Sequence, residues 1–122
     1  MSSDDYWVVA YKILSYLYAC MKAGKEVDVA AMRDLVRVNE SYFGMVVRGL
    51  QDKGLVSGFH FDGLSGAIID SPDSAYMDDF AITMDGALFV RENSNMEKAK
   101  RFAGAAFENA LAAAIAAAVS RI

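Results

Sequence analysis

Apolar positions recur at helical spacing through the first third of the chain, give way to a short β-rich run in the middle, and return to helical spacing at the end. Residues 6–23, YWVVAYKILSYLYACMKA, predict a first helix capped by Ser3, Asp4 or Asp5 and stopped by Gly24. Trp7, Val8, Tyr11, Leu14, Tyr18 and Met21 share one side of it, while Val9, Ile13, Tyr16, Leu17 and Cys20 spread around the rest. A helix apolar most of the way round is covered on more than one face, so two packing partners are expected. Lys25-Glu26-Val27 reads as a connector or a first edge strand. Asp28 caps a second helix over residues 29–36, with Val29, Met32, Leu35 and Val36 inward. Arg37-Val38-Asn39-Glu40 then turns into a third helix, capped by Asn39 or Ser41, whose buried face is Phe43, Val46, Val47 and Leu50.

Lys53 suits the negative end of that third helix, and Gly54 stands where a left-handed residue ends one. Leu55, Val56, Phe59 and Phe61 follow as a strand with almost no linker. Asp62-Gly63-Leu64-Ser65-Gly66 reads as a hairpin tip, with Ala67-Ile68-Ile69 returning as the second strand. Ser71-Pro72-Asp73-Ser74 is a turn, and residues 76–82 hold another short extended run. Thr83 caps a fourth helix bearing Leu88, Phe89 and Val90. Ser94-x-x-Glu97 forms a capping box, so a fifth helix is expected from Asn95 to the end. It would span about 28 residues, or roughly 40 Å at the usual rise. The predicted class is α+β, mostly α: a winged helix-turn-helix with a β-hairpin wing and a long C-terminal helix. Residues 1–93 form the winged-helix domain, and residues 94–122 a C-terminal helix packed on it and expected to dimerise.

Composition narrows the class without naming a chemistry. With 55% hydrophobic and 23% charged residues, the chain is one globular domain. Its one cysteine, Cys20, makes no internal disulfide and reads as a small buried thiol in a reduced compartment. Leu17-Tyr18-Ala19-Cys20 has the outline of a lipoprotein signal, but Asp4 and Asp5 stand where a basic start is needed. No stretch reaches the roughly 18 apolar residues of a membrane span, and a cytoplasmic location is expected. His60 lies opposite Phe59 and Phe61 on its strand and has no companion ligand, and the aspartates, Asp78-Asp79 included, lack metal or calcium spacing. Gly44, Gly49 and Gly54 form no phosphate loop, and Gly44 and Gly49 read as sites of close backbone approach. No cofactor, no metal and no catalytic residues are expected; the chain reads as a non-enzyme.

Two segments together carry a family resemblance. Leu50-x-x-Lys53-Gly54-Leu55-Val56 is followed, after the hairpin, by Phe80-Ala81-Ile82-Thr83-x-x-Gly86. This resembles the "L-x-x-x-G-L-I … Y-x-L-T-x-x-G" frame of many bacterial winged-helix regulators. More narrowly, residues 8 to 102 resemble the small YjcQ-like winged-helix proteins of bacteria and their phages, with Ile82-Thr83-Met84-Asp85-Gly86 in place of an ITEKG-like helix start and Arg91-Glu92-Asn93-Ser94 as the polar break before the next helix.

The resemblance implies a DNA-binding role in transcription regulation, with the third helix in the major groove and the wing on the backbone. It would place Ser41, Tyr42, Met45, Arg48 and Gln51 of the third helix, and His60, Leu64 and Ser65 of the wing, against double-stranded DNA. Charge runs the other way. Between Asn39 and Val90 the basic residues are Arg48 and Lys53, against Glu40, Asp52, Asp62, Asp70, Asp73, Asp78, Asp79 and Asp85. Phosphate contacts supply most non-specific affinity for DNA, so this half of the chain favours the alternative, a protein–protein interaction module. Lys22, Lys25, Arg33 and Arg37 are candidates for a modest basic edge. The last helix carries Ala103, Phe107, Leu111, Ile115, Val119 and Ile122 as a stripe, with no charge from 109 to 120. Phe107, Leu111, Ile115 and Val119 are therefore expected in a homodimer interface, packing onto the chain's own first helix being the other reading. A ligand pocket between Trp7, Tyr11, Tyr18 and the last helix is a third reading of the same apolar surfaces.

Overall fold

The computed structural model describes residues 1–69 and 80–121. The expected turn at Ser71-Pro72-Asp73-Ser74, the start of the 76–82 run, Asp70, Asp78, Asp79 and Ile122 lie outside them. Seven elements follow in order: α1 (Tyr6–Ala23), α2 (Val29–Val36), α3 (Glu40–Asp52), β1 (Val56–Ser57), β2 (Ala81–Ile82), α4 (Met84–Glu92) and α5 (Ser94–Ala117). The fold is α+β and mostly α, with one small antiparallel sheet and a long C-terminal helix.

The helix ends are set by local chemistry. Asp5, Asp28 and Asn39 each accept backbone N–H bonds at the starts of α1, α2 and α3. Gly24 closes α1 in the left-handed region at φ 66°. Gly54, at φ 77°, closes α3: its N–H donates to the Gln51 carbonyl, and the Leu55 N–H reaches back to the Leu50 carbonyl. Thr83 caps α4 through its hydroxyl oxygen, which accepts from the Gly86 N–H, while the same hydroxyl donates to the Gly54 carbonyl at 2.6 Å. A side chain at Gly86 would collide with the Leu55 carbonyl, so this glycine is what lets α4 lie against the chain between α3 and β1. At α5 the cap is Asn93, accepting from Asn95 and Met96, and Ser94 is already helical.

α1 is the centre of the molecule. Val8, Val9, Ile13, Leu14, Tyr16 and Leu17 are sealed from solvent, and α1 packs on α2, α3, α4, α5 and β2. The Tyr16 hydroxyl accepts from the Asp28 N–H at 2.9 Å and fastens α1 to the start of α2; burial raises its pKa well above the ordinary tyrosine value.

Two expected features are corrected. β1 pairs with β2, Val56 opposite Ile82, and not with Ala67-Ile68-Ile69. Gly58, at φ 84°, turns the chain out of the strand, and Phe59 then stacks on Phe80 with ring centroids 4.4 Å apart. The hairpin survives as a single bridge, Phe61 opposite Ile68, closed by Asp62 N–H to the Ala67 carbonyl. α5 is not one straight rod. Gly104, at φ 66° and ψ −164°, breaks it into two legs, residues 94–103 and 105–117. That backbone region is open almost solely to glycine. After the second leg, residues 118–121 turn back along the α1–α2 connector: the Glu26 N–H donates to Val119, the Arg121 N–H to Gly24, and the Lys25 ammonium to Ala118. Lys25 is thus bridged to Ser120 and not to the central sheet.

Candidate functional site

Helical geometry leaves one stripe of α3 facing outward: Ser41, Met45, Arg48 and Asp52, all exposed, with Met45 at 67%. The other residues expected on this face are turned to structural use. The Gln51 amide donates to the Phe59 carbonyl at 3.0 Å and accepts its N–H at 2.9 Å, pinning the hairpin to α3. The Tyr42 hydroxyl donates to the Asp4 carbonyl at 2.8 Å and ties down the N-terminal segment. Burial and the neighbouring carboxylates of Asp4 and Asp5 raise its pKa. Asp52, not singled out in the sequence, completes the stripe one turn beyond Arg48.

The hairpin lies directly against α3. A Cβ on Gly44 would sit 2.5 Å from the Gly66 carbonyl oxygen, so the helix is bare there to admit the loop backbone. Gly49 similarly leaves room for the Tyr6 hydroxyl. Arg48 lies over the Phe61 ring at 5.3 Å, a cation–π contact that holds its guanidinium beside the hairpin. At the tip the Asp62 carboxylate accepts from the Ser65 and Leu64 N–H groups, which holds its pKa below the usual carboxylate range. Leu64 is fully exposed, Ser65 is exposed beside it, and His60 is half-buried. The structure thus brings Ser41, Met45, Arg48, Leu64 and Ser65 to the surface and keeps Tyr42 and Gln51 for architecture.

The expected basic edge is dispersed. Arg33 pairs with Glu40 at 3.2 Å, the Arg37 guanidinium donates to the Asp34 carbonyl, and Lys25 holds the C-terminal tail. Lys22 lies over the Tyr18 ring on another side of α1.

The stripe expected between subunits faces α1 of its own chain. Phe107 is 6% exposed and packs on Tyr11 at 5.6 Å, with Lys12 above its ring. Leu111 and Ile115 are half-buried against the same core, and Val119 is 65% exposed. The open side of the second leg carries an alanine stripe, Ala106, Ala110, Ala113 and Ala117, with Glu108 and Asn109 exposed beside it.

A groove of about 810 Å³ opens between α1, the end of α4 and the two legs of α5. Tyr18, Leu111 and the edge of Tyr11 form its apolar part over the fully buried Met96, and Lys22, Arg91 and Lys100 stand round it with Glu97. Trp7 is not part of it, because its indole stacks on Phe89 at 6.5 Å. The sequence signal that reveals this groove is Gly104, the glycine in an otherwise alanine-rich helix.

Among the described residues no three of His, Cys, Asp or Glu approach closely enough to hold a metal ion, and no helix is long and apolar enough to cross a membrane. Burial pushes the Cys20 thiol above its ordinary pKa, which makes it a poor nucleophile. No curated protein and no solved structure matches the chain. A family model described as YjcQ protein matches residues 11–106, from the first turns of α1 through the break at Gly104. The chain belongs to the YjcQ family.

Proposed function

We propose that this chain is a non-catalytic winged-helix binding module whose outward α3 stripe and hairpin tip engage a protein partner. The element order, three helices followed by strand, hairpin and strand, is compatible with that scaffold. The observation that carries the partner class is the chemistry of the exposed surface. Met45 and Leu64 offer apolar contact, Arg48 and the exposed Lys53 two cations, and Glu40, Asp52 and Asp62 a net negative field. A duplex would meet carboxylates where it needs lysines and arginines, whereas exposed apolar side chains ringed by charge suit a protein surface.

Duplex DNA is the second reading, favoured by Ser41 and Arg48 lying open on a helix flanked by a hairpin. A photo-crosslinking residue in place of Met45, introduced in cells, separates the two. A discrete adduct that protease removes and nuclease leaves intact supports the first reading; a nuclease-sensitive adduct overturns it. Titration of random duplex DNA at low salt gives the second measure. The protein-partner reading expects no measurable affinity there, while a DNA reader would bind, and its affinity would fall steeply as salt rises.

Homodimerisation belongs to the same proposal, supported by the uncharged alanine face of the second leg of α5. Ala110→Glu combined with Ala113→Glu places charge on that face without touching the core. Light scattering is expected to show a dimer for the parent and a monomer for the variant; equal monomer masses would rule the dimer out.

A further inference from the structure

The α1–α5 groove is a second surface, independent of the α3 face. Its shape comes from Gly104: the break divides α5 into two legs, and the groove opens between Lys100 on the first and Leu111 on the second. At about 810 Å³ it falls in the size range of small-molecule sites. A trough of about 600 Å³ continues it along Leu111 and Ile115, with Lys100 lining both and Glu108 in the trough.

Charge selects the occupant. Three cations, Lys22, Arg91 and Lys100, meet one carboxylate, Glu97, in a chain whose net charge is −4. Glu97 also lies 3.7 Å from Arg101 along its own helix, so the cations keep the majority around the groove. Lys22 lies over the Tyr18 ring at 5.5 Å, at the groove wall. The Tyr11 hydroxyl, at the edge of the groove, hydrogen-bonds Ser15, and burial with the nearby Glu108 carboxylate raises its pKa.

We propose that this groove binds a small amphiphilic anion, with an aromatic or aliphatic body against Tyr18, Leu111 and the edge of Tyr11 and a carboxylate held by Lys22, Arg91 and Lys100. The apolar walls supply the burial, and the cations supply the charge-assisted bonds that tell an acid from its neutral analogue.

Calorimetric titration of the full chain with naphthalene-2-carboxylate and with the neutral naphthalene-2-carboxamide tests this directly. The carboxylate is expected to bind about tenfold or more tightly than the amide. Arg91→Gln with Lys100→Gln, both at exposed positions, is expected to remove that preference while leaving amide binding unchanged. Leu111→Trp, which fills the groove, is expected to abolish binding of both. Equal affinity for the two probes, a carboxylate affinity unmoved by the double substitution, or no saturable binding at millimolar probe would overturn the proposal. A dimer that the double substitution disperses and the carboxylate does not would also overturn it, in favour of a second copy of the chain.

Discussion

The α3–hairpin face and the α1–α5 groove treat their polar groups in opposite ways. On α3 two of the side chains that look like readers are committed, Gln51 to Phe59 and Tyr42 to Asp4, while Arg48 stays exposed with its guanidinium over the Phe61 ring. Around the groove, Arg91 and Lys100 stand beside apolar walls in a chain with more acid than base. Residue type marks a candidate, but the geometry of its neighbours decides whether its bonding capacity is left for a partner. A polar residue one turn from a chain reversal is readily drawn into holding that reversal, as Gln51 is. Of the groove cations Lys22 is likewise stacked on a ring, Tyr18, whereas among the described residues Arg91 and Lys100 hold no chain reversal.

The sharpest way to break this contrast is Phe107→Ala. If the second leg of α5 is integral to the chain's own core, the substitution costs about 3–5 kcal/mol, read by urea denaturation. Unchanged stability would mean that the leg does its packing elsewhere.

Gly104→Ala comes next and is a test of sign. Helix propensity alone predicts a gain of up to about 1 kcal/mol. The backbone at φ 66°, ψ −164° predicts instead a loss of about 1–3 kcal/mol, together with loss of probe binding in the groove. Gly44→Ala, on the other face, is expected to cost about 1–3 kcal/mol through its collision with the Gly66 carbonyl. Its amide shifts should move at 62–68 and stay put around the groove.

Gln51→Ala sharpens the comparison further. Losing both bonds to Phe59 is expected to cost about 1–2 kcal/mol in thermal or urea melts, because that backbone pair is half-buried. A reader side chain left free for a ligand would show no such cost.

The smallest effect concerns Asp62. Its folded pKa lies below its unfolded value, so its contribution to the hairpin tip is present above the ordinary aspartate range and is lost as pH falls through the folded pKa. The protection of the Leu64 and Ser65 amides from exchange, taken relative to the unprotected rate at each pH, should fall in that acid window, and in Asp62→Ala it should be low at every pH.

Local signals were legible. Asp5, Asp28, Asn39 and Thr83 all cap helices that periodicity had outlined, and Gly24 and Gly54 stop them, because each of these interactions lies within a few residues of the chain. Asn93 displaces the expected Ser94 cap because its side-chain oxygen reaches two N–H groups at once. Pairing across distance was not legible. Nothing near Val56 states that its partner is Ile82 and not Ile68; that choice is made by Gly58 and by the stack of Phe59 on Phe80. Alanine content argued for an unbroken α5, and packing of both legs on α1 overrode it. The outward residues of α3 were legible from period alone, but which of them would be spent on the hairpin was not.

The tail that returns to the α1–α2 connector has a kinetic consequence. Lys25 bonds to a carbonyl 93 residues later, so the closure it makes has to wait for nearly the whole described chain to be synthesised. During translation the flank of α1 around Tyr11, which Phe107 covers, therefore stays open until residues 105–121 arrive.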